Sequence, residues 1–134
     1  MIPRGTVILA PVDSNRIELD RNNDGVVVVV VSGEHDVYTA PSLRDQIQAV
    51  IDEKAPFVID LTPATFVDSS ILRVLLEARR QAEESGLGFA IALGNGEGPG
   101  VRRILEVTGL MNVFPVRANR EEALQTAKSA AAPS

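Results

Sequence analysis

Six consecutive valines, residues 26–31, limit what this chain can become more than any other stretch. β-Branched side chains suit a pleated strand better than a helix. A run with no polar alternation has no face to offer to water, so it reads as a strand covered on both sides. It is also far shorter than the ~20 apolar residues a helix needs to cross a bilayer. On its N-terminal side "DRNNDG" reads as a turn in which Gly25 takes positive φ. On the other side Gly33 is expected to end the strand.

The segments that must supply the cover alternate in type. Residues 17–20 are a short strand candidate, and residues 6–10 a strand, an arm or a lead-in. Residues 41–54 are helical in pattern: Leu43, Ile47, Val50 and Ile51 share a face, while Arg44, Asp45, Gln48 and Asp52 point elsewhere. Thr39 is the expected cap, and Pro41 fits the first turn. Residues 57–61 and 88–93 are further short strands, Pro63 interrupts, and Phe66-Val67 leads into a helix that follows Ser69. In that helix Ile71, Val74, Leu75, Ala78 and Ala82 form a stripe, which Leu72 and Leu76 widen. Arg73 with Glu77, and Arg80 with Glu84, are expected ion pairs on the wetter side. Gly86 is placed to close the helix in the left-handed conformation.

"GNGEGPG" reads as a loop whose Pro99 opens a helix carrying Val101, Ile104 and Leu105, closed by Gly109. Residues 113–116 read as a last strand, at an edge because of Pro115. Asn119 and Glu122 have capping-box spacing ahead of a final helix that turns Leu124 and Ala127 inward. Strands and helices alternating over short connections imply an α/β fold, with a mixed or mostly parallel sheet and helices against it. A single domain is expected over residues 15–130, after a lead-in or extra strand at 1–14 and before a flexible tail at 131–134.

The core of such a domain has to be aliphatic, since the 134 residues include only four Phe, one Tyr and no Trp. Eighteen acidic residues against thirteen basic ones, a formal charge of −5, oppose docking on a nucleic-acid backbone. Arg79-Arg80 and Arg102-Arg103 are too short to make a basic patch. The absence of cysteine removes disulfides and thiolate metal sites and is compatible with a reducing cytosol. No signal peptide and no membrane insertion are expected, so the expected location is cytoplasmic.

Catalytic arrangements are poorly supported. A serine hydrolase would need Ser69 or Ser70 as nucleophile, His35 as base and Asp36 or Asp68 as the orienting acid. The local string "VDSSI" lacks the nucleophile elbow. His35 lies between Glu34 and Asp36, and neighbours on an extended chain point different ways, so "EHD" reads as a solvated rim and not as a metal set. "GNGEGPG" lacks both the phosphate-loop ending and dinucleotide spacing; an ordinary connection outweighs weak anion binding there. No catalytic residue, metal or cofactor is expected.

"VDSS" is different. Asp68 or Ser69 caps the helix that begins there. A hydroxyl at a helix start is also a favourable place for a phosphate, because free N–H groups and the helix dipole favour negative charge there. Phosphorylation would leave the fold intact and add about −1.5 to −2 charges to an interaction surface. Asp68 beside it would add repulsion against an acidic partner.

Three segments carry a family resemblance: "VVVVVVSGEHDVYTAPSLRDQI", "FVIDLTPATFVDSSILRVLLEA" and "GPGVRRILEVTGLMNVFPVRANREEAL". In this order and spacing, over roughly residues 17–126, the chain resembles the STAS family and, within it, the bacterial anti-sigma factor antagonists. The resemblance implies a mixed β-sheet with helices packed mainly on one face, and a binding protein with no catalysis of its own. In that branch the unphosphorylated form captures an anti-sigma factor that is also a serine/threonine kinase, which frees the sigma factor for transcription. The kinase uses ATP to phosphorylate the first serine after the Asp, the complex weakens, and a serine phosphatase restores the binding form.

By position the modified residue is Ser69, with Ser70 as its backup, and the partner-binding residues are Asp36, Thr39, Asp68, Ser69 and Ser70. Ile71 stands where the family pattern usually has glycine, and His35 where an apolar residue is commoner. The alternative is a STAS accessory or scaffold module in a stress-signalling or lipid-transport complex, without phosphocontrol. "TVILAP" is left with two uses: pairing with a second copy in a weak homodimer, or closing on its own sheet.

Overall fold

Both sides of the valine strand are occupied, by different elements. The structure, a computed structural model, describes residues 15–94 and 100–130. Expectations for residues 6–10, for the centre of the "GNGEGPG" loop with Pro99, and for the tail at 131–134 lie outside them.

β1 (Arg16–Asp20) runs antiparallel to β2 (Val27–His35). The turn between them holds Asp24 and Gly25 at φ of 56° and 88°. α1 (Ala40–Asp52) leads to β3 (Phe57–Asp60), which pairs in parallel with the first half of β2, Val27 opposite Phe57 and Val30 opposite Asp60. The chain then steps out at Pro63 and re-enters as β4 (Ala64–Val67), parallel to the second half of β2. α2 (Ser69–Ser85) returns to β5 (Phe89–Ala92) beside β3. α3 (Gly100–Val107), a 3₁₀ turn (Leu110–Asn112), β6 (Val116–Arg117) and α4 (Arg120–Ala130) complete the chain. Among the described residues the sheet order is β1-β2-β3-β5-β6, with β4 attached to β2.

Alternation along the strands splits the interior in two. Val27, Val29 and Val31 face Leu43, Ile47 and Val50 of α1, Ile71, Leu75 and Ala78 of α2, and Val101 and Leu105 of α3. Val26 and Val28 lie on the other side with Val58, Ala90, Ala92 and the α4 residues Ala123 and Ala127. Three helices therefore cover one face and α4 covers the other, in keeping with helices mainly on one side. The valine run is a strand covered from both directions, with Val30 alone of the six only partly buried.

Five local expectations need correction. Leu72 widens the α2 stripe but Leu76 does not, being exposed. Gly33 does not end β2; it bends it, at φ 83°, and pairing continues to His35. The last strand is only Val116–Arg117, because Val113 closes the 3₁₀ turn and Phe114 is drawn into the core. β6 does lie at an edge of the sheet. Glu77 does not pair with Arg73; it reaches Arg44 of α1 and Arg80, each at 3.7 Å, while Arg80 also meets Glu84 at 3.0 Å as expected. Thr39 occupies the α1 N-cap position but makes no side-chain cap there.

The α4 face contains an ion cluster. Asp60, only 3% exposed, ends an otherwise apolar strand. The Arg120 Nε donates to it at 3.1 Å, its Nη2 lies 3.0 Å from the same carboxylate oxygen, and its Nη1 reaches Asp20 at 3.1 Å. The other Asp60 oxygen accepts from the Thr62 backbone N–H at 3.0 Å and from its hydroxyl at 2.7 Å. Both carboxylate oxygens are satisfied, which is the condition for keeping a charge inside. Asn119 Oδ1 accepts from the Glu122 N–H at 2.8 Å and starts α4 as its spacing suggests.

Candidate functional site

The second half of β2 and the whole of β4 bring two loops together. Gly33 pairs with Ala64, Glu34 with Phe66 and His35 with Val67, so one step on β2 spans two on β4, with Thr65 as the extra residue. Such a bulge bends the ladder and redirects the chain beyond it. A positive φ at Gly33 is a conformation that glycine adopts without strain. Beyond the last pair the two chains leave side by side, one into Asp36 and the other into Asp68.

The β2 exit is fixed by hydrogen bonds to backbone groups. His35 is 1% exposed, which corrects the solvated "EHD" rim; Glu34 is exposed and Asp36 half-buried. His35 Nε2 lies 2.7 Å from the Ser32 carbonyl oxygen, which can only accept, so Nε2 carries the hydrogen. Nδ1 lies 3.0 Å from the Thr39 hydroxyl. That hydroxyl accepts from the Asp36 N–H at 3.1 Å and lies 3.2 Å from the Asp36 carbonyl. The Asp36 carboxylate accepts from the Tyr38 N–H at 2.9 Å. The Asp36 carbonyl takes the N–H groups of Thr39 and Ala40 at 3.0 and 2.9 Å. Residues 36–39 are thus one tight turn pinned to a buried imidazole. The turn exposes Val37 (57%) and Tyr38 (87%), and β4 adds Phe66 (45%).

The β4 exit is a helix start. Asp68 is extended, and its Oδ1 accepts from the N–H groups of Ser70 at 2.9 Å and Ile71 at 3.3 Å. Asp68 therefore does the capping, and Ser69 is left exposed at the first helical position. Ser70 is half-buried, and neither hydroxyl has a hydrogen-bond partner among the described residues. Ile71 is fully buried, so its side chain packs into the core and does not crowd Ser69.

The five expected site residues come together at one end of the fold, where α1 and α2 both begin. Sequence reasoning missed the apolar rim of Val37, Tyr38 and Phe66; an aromatic beside Asp36 in a chain with only five aromatics was the available signal. His35 has both ring nitrogens committed, to Ser32 and Thr39, which leaves no free nitrogen to serve Ser69 as a base. Among the described residues no three His, Cys, Asp or Glu side chains are grouped to hold a metal, and no helix is long and apolar enough to cross a membrane.

Comparison with known proteins bears on the fold and the family. A family model described as STAS domain matches residues 19–123. An anti-sigma F factor antagonist of Paenibacillus polymyxa is 32% identical over 111 residues, 81% of this chain and 92% of that protein. An anti-sigma-B factor antagonist of Bacillus subtilis is 25% identical over 105 residues, 78% of this chain and 94% of its own. Among solved structures, an anti-sigma factor antagonist from Mycobacterium paratuberculosis superposes with a TM-score of 0.74 at 35% identity, covering 84% of this chain and 93% of that one.

Proposed function

The chain belongs to the STAS domain family, and from that premise we propose that it is an anti-sigma factor antagonist whose capture of its partner is controlled by phosphorylation of Ser69. The observation that carries the reading is the exposed Ser69 hydroxyl at the start of α2, which has no hydrogen-bond partner among the described residues because Asp68 already caps the helix. The names of the relatives support the antagonist role. The partner is an anti-sigma factor with serine/threonine kinase activity, and it docks on the end formed by Asp36, Thr39, Asp68, Ser69 and Ser70. The rim of Val37, Tyr38 and Phe66 supplies apolar area around these polar groups, the composition expected of a docking surface.

Phosphorylation moves the γ-phosphoryl group of ATP to Ser69 Oγ; the hydroxyl proton is lost and ADP leaves. Nothing in the core has to move, because Ser69 contributes neither the cap nor the stripe. The added charge, about −1.5 to −2, sits beside Asp68 and weakens docking by repulsion and desolvation. A serine phosphatase hydrolyses the ester and restores the binding form. These exchanges take place in the cytoplasm.

The test is capture of the co-purifying anti-sigma factor by the parent protein and by Ser69→Asp, read by calorimetry. Ser69→Asp is expected to bind at least about tenfold more weakly, or ~1.4 kcal/mol, with an unchanged thermal midpoint. Equal affinity removes phosphocontrol at this residue. Recovery of a transport ATPase in place of a small kinase-like protein favours the accessory-module reading.

A further inference from the structure

We propose that Arg73 is the internal partner of a phosphate on Ser69, so that modification adds negative charge to the docking rim and also withdraws a cation from it. This rests on Ser69 as the modified residue and concerns what receives the charge.

A phosphate at this helix start cannot rely on the backbone alone. The N–H groups of Ser70 and Ile71, which would otherwise face it, are taken by the Asp68 carboxylate. That carboxylate is itself a like charge beside the phosphate, so the dianion needs a cation. Along α2 the first one is Arg73, four positions on, and both residues are exposed. Residues i and i+4 of a helix lie on one face with Cβ atoms about 5–6 Å apart, and an acid N-terminal to its base is the favourable order. A guanidinium also matches phosphate oxygens two at a time.

Arg73 is available for this role. Glu77, its natural ion-pair partner by spacing, is drawn instead to Arg44 and Arg80. Among the described residues Arg73 has no ion-pair partner. Arg102 of α3 is committed to the Gly94 carbonyl and to Glu106. In the unmodified protein Arg73 lies exposed one turn from Ser69, where it offers a positive contact to an acidic group on the partner. The phosphate converts that contact into an internal pair.

The experiment needs no kinase. Phosphoserine is installed at position 69 by genetic encoding, and its second ionisation is followed by phosphorus NMR against pH. An adjacent guanidinium favours the dianion, so Arg73→Gln should raise the phosphate's second pKa by about 0.3 unit, the size expected of an exposed i,i+4 pair. Arg73→Lys should keep most of the parent value, and the difference should shrink in high salt. Lys54→Gln, one charge removed from the far end of α1, should leave the titration unchanged. Identical titrations for the parent and Arg73→Gln, or an equal shift from Lys54→Gln, overturn the pairing. Either result leaves phosphocontrol standing. That reading fails separately if the encoded phosphoprotein captures the anti-sigma factor as tightly as the unmodified chain.

Discussion

The two faces of the sheet are held by different means. The face under α1, α2 and α3 is filled by volume: Leu43, Phe57, Ile59, Ile71, Leu75 and Leu105 are all fully buried there. The face under α4 is thin, made of valines and alanines, and is closed at its end by Arg120 reaching Asp60 and Asp20. Alanines let α4 approach closely but bury little area, and area is what the hydrophobic effect rewards, at about 25 cal/mol per Å². The ion cluster ties the first residue of α4 to β1 and β3. The proposed docking end belongs to the first face, so charge added at Ser69 acts on a helix already anchored by bulk.

The contrast can be broken by mutation. The largest effect should come from Leu75→Ala, which empties the centre of the thick face; a loss of about 2–5 kcal/mol in urea unfolding is expected. Arg120→Ala should cost less, about 1–3 kcal/mol, because Arg120 is itself 37% exposed although the Asp60 it leaves behind is buried. Adding Asp60→Asn should recover part of that loss, since no buried charge then lacks a partner. If Arg120→Ala proves costlier than Leu75→Ala, the division of labour between the faces is inverted.

Thr39→Val is isosteric and should cost about 1–2 kcal/mol by leaving Asp36 N–H and His35 Nδ1 without the hydroxyl. Its sharper readout is local. Tyr38 is the only tyrosine and there is no tryptophan, so tyrosine emission reports the docking turn alone. Emission should change in Thr39→Val and return in Thr39→Ser; an unaltered spectrum would mean that the hydroxyl does not hold the turn.

The smallest effect should be electrostatic. Asp20 is held below its ordinary 3.8 mainly by the Asn22 N–H, with the Arg120 charge also favouring the anion. Glu53 is held below its ordinary 4.5 by its hydrogen bonds from Arg21. Folded values below unfolded ones mean that this stability is present above about pH 4.5 and is lost as pH falls through the folded values. The thermal midpoint should therefore fall on acidification below that point, and Arg21→Gln should reduce the fall. A pH-independent difference between parent and variant would show that the Arg21–Glu53 pair contributes nothing through charge.

Much of the fold is legible along the chain. The stripe from Ile71 to Ala82, a cap at Asp68 or Ser69, the left-handed Gly86 and the doubly covered valine strand all come from periods of 3.6 and 2 and from local backbone chemistry. So does the choice of Ser69, through "VDSS" and the resemblance built around it. The errors share one cause. β4 reads as an approach loop because four residues carry no periodicity of their own; only its pairing with β2 makes it a strand. His35 reads as solvated because its neighbours are acidic, whereas its ring turns inward and finds Ser32 and Thr39.

By itself, then, the amino-acid sequence determined the alternation of elements and the approximate helix starts, since each depends on residues within a turn or two of one another. Tertiary structure decided what those elements meet. The bulge at Gly33 sets Asp36 beside Asp68, and Arg120 joins Asp60 to Asp20 across separations of 60 and 100 residues. Contacts at that range depend on strand register and on which face each side chain is turned to, and a local pattern fixes neither until the sheet has formed.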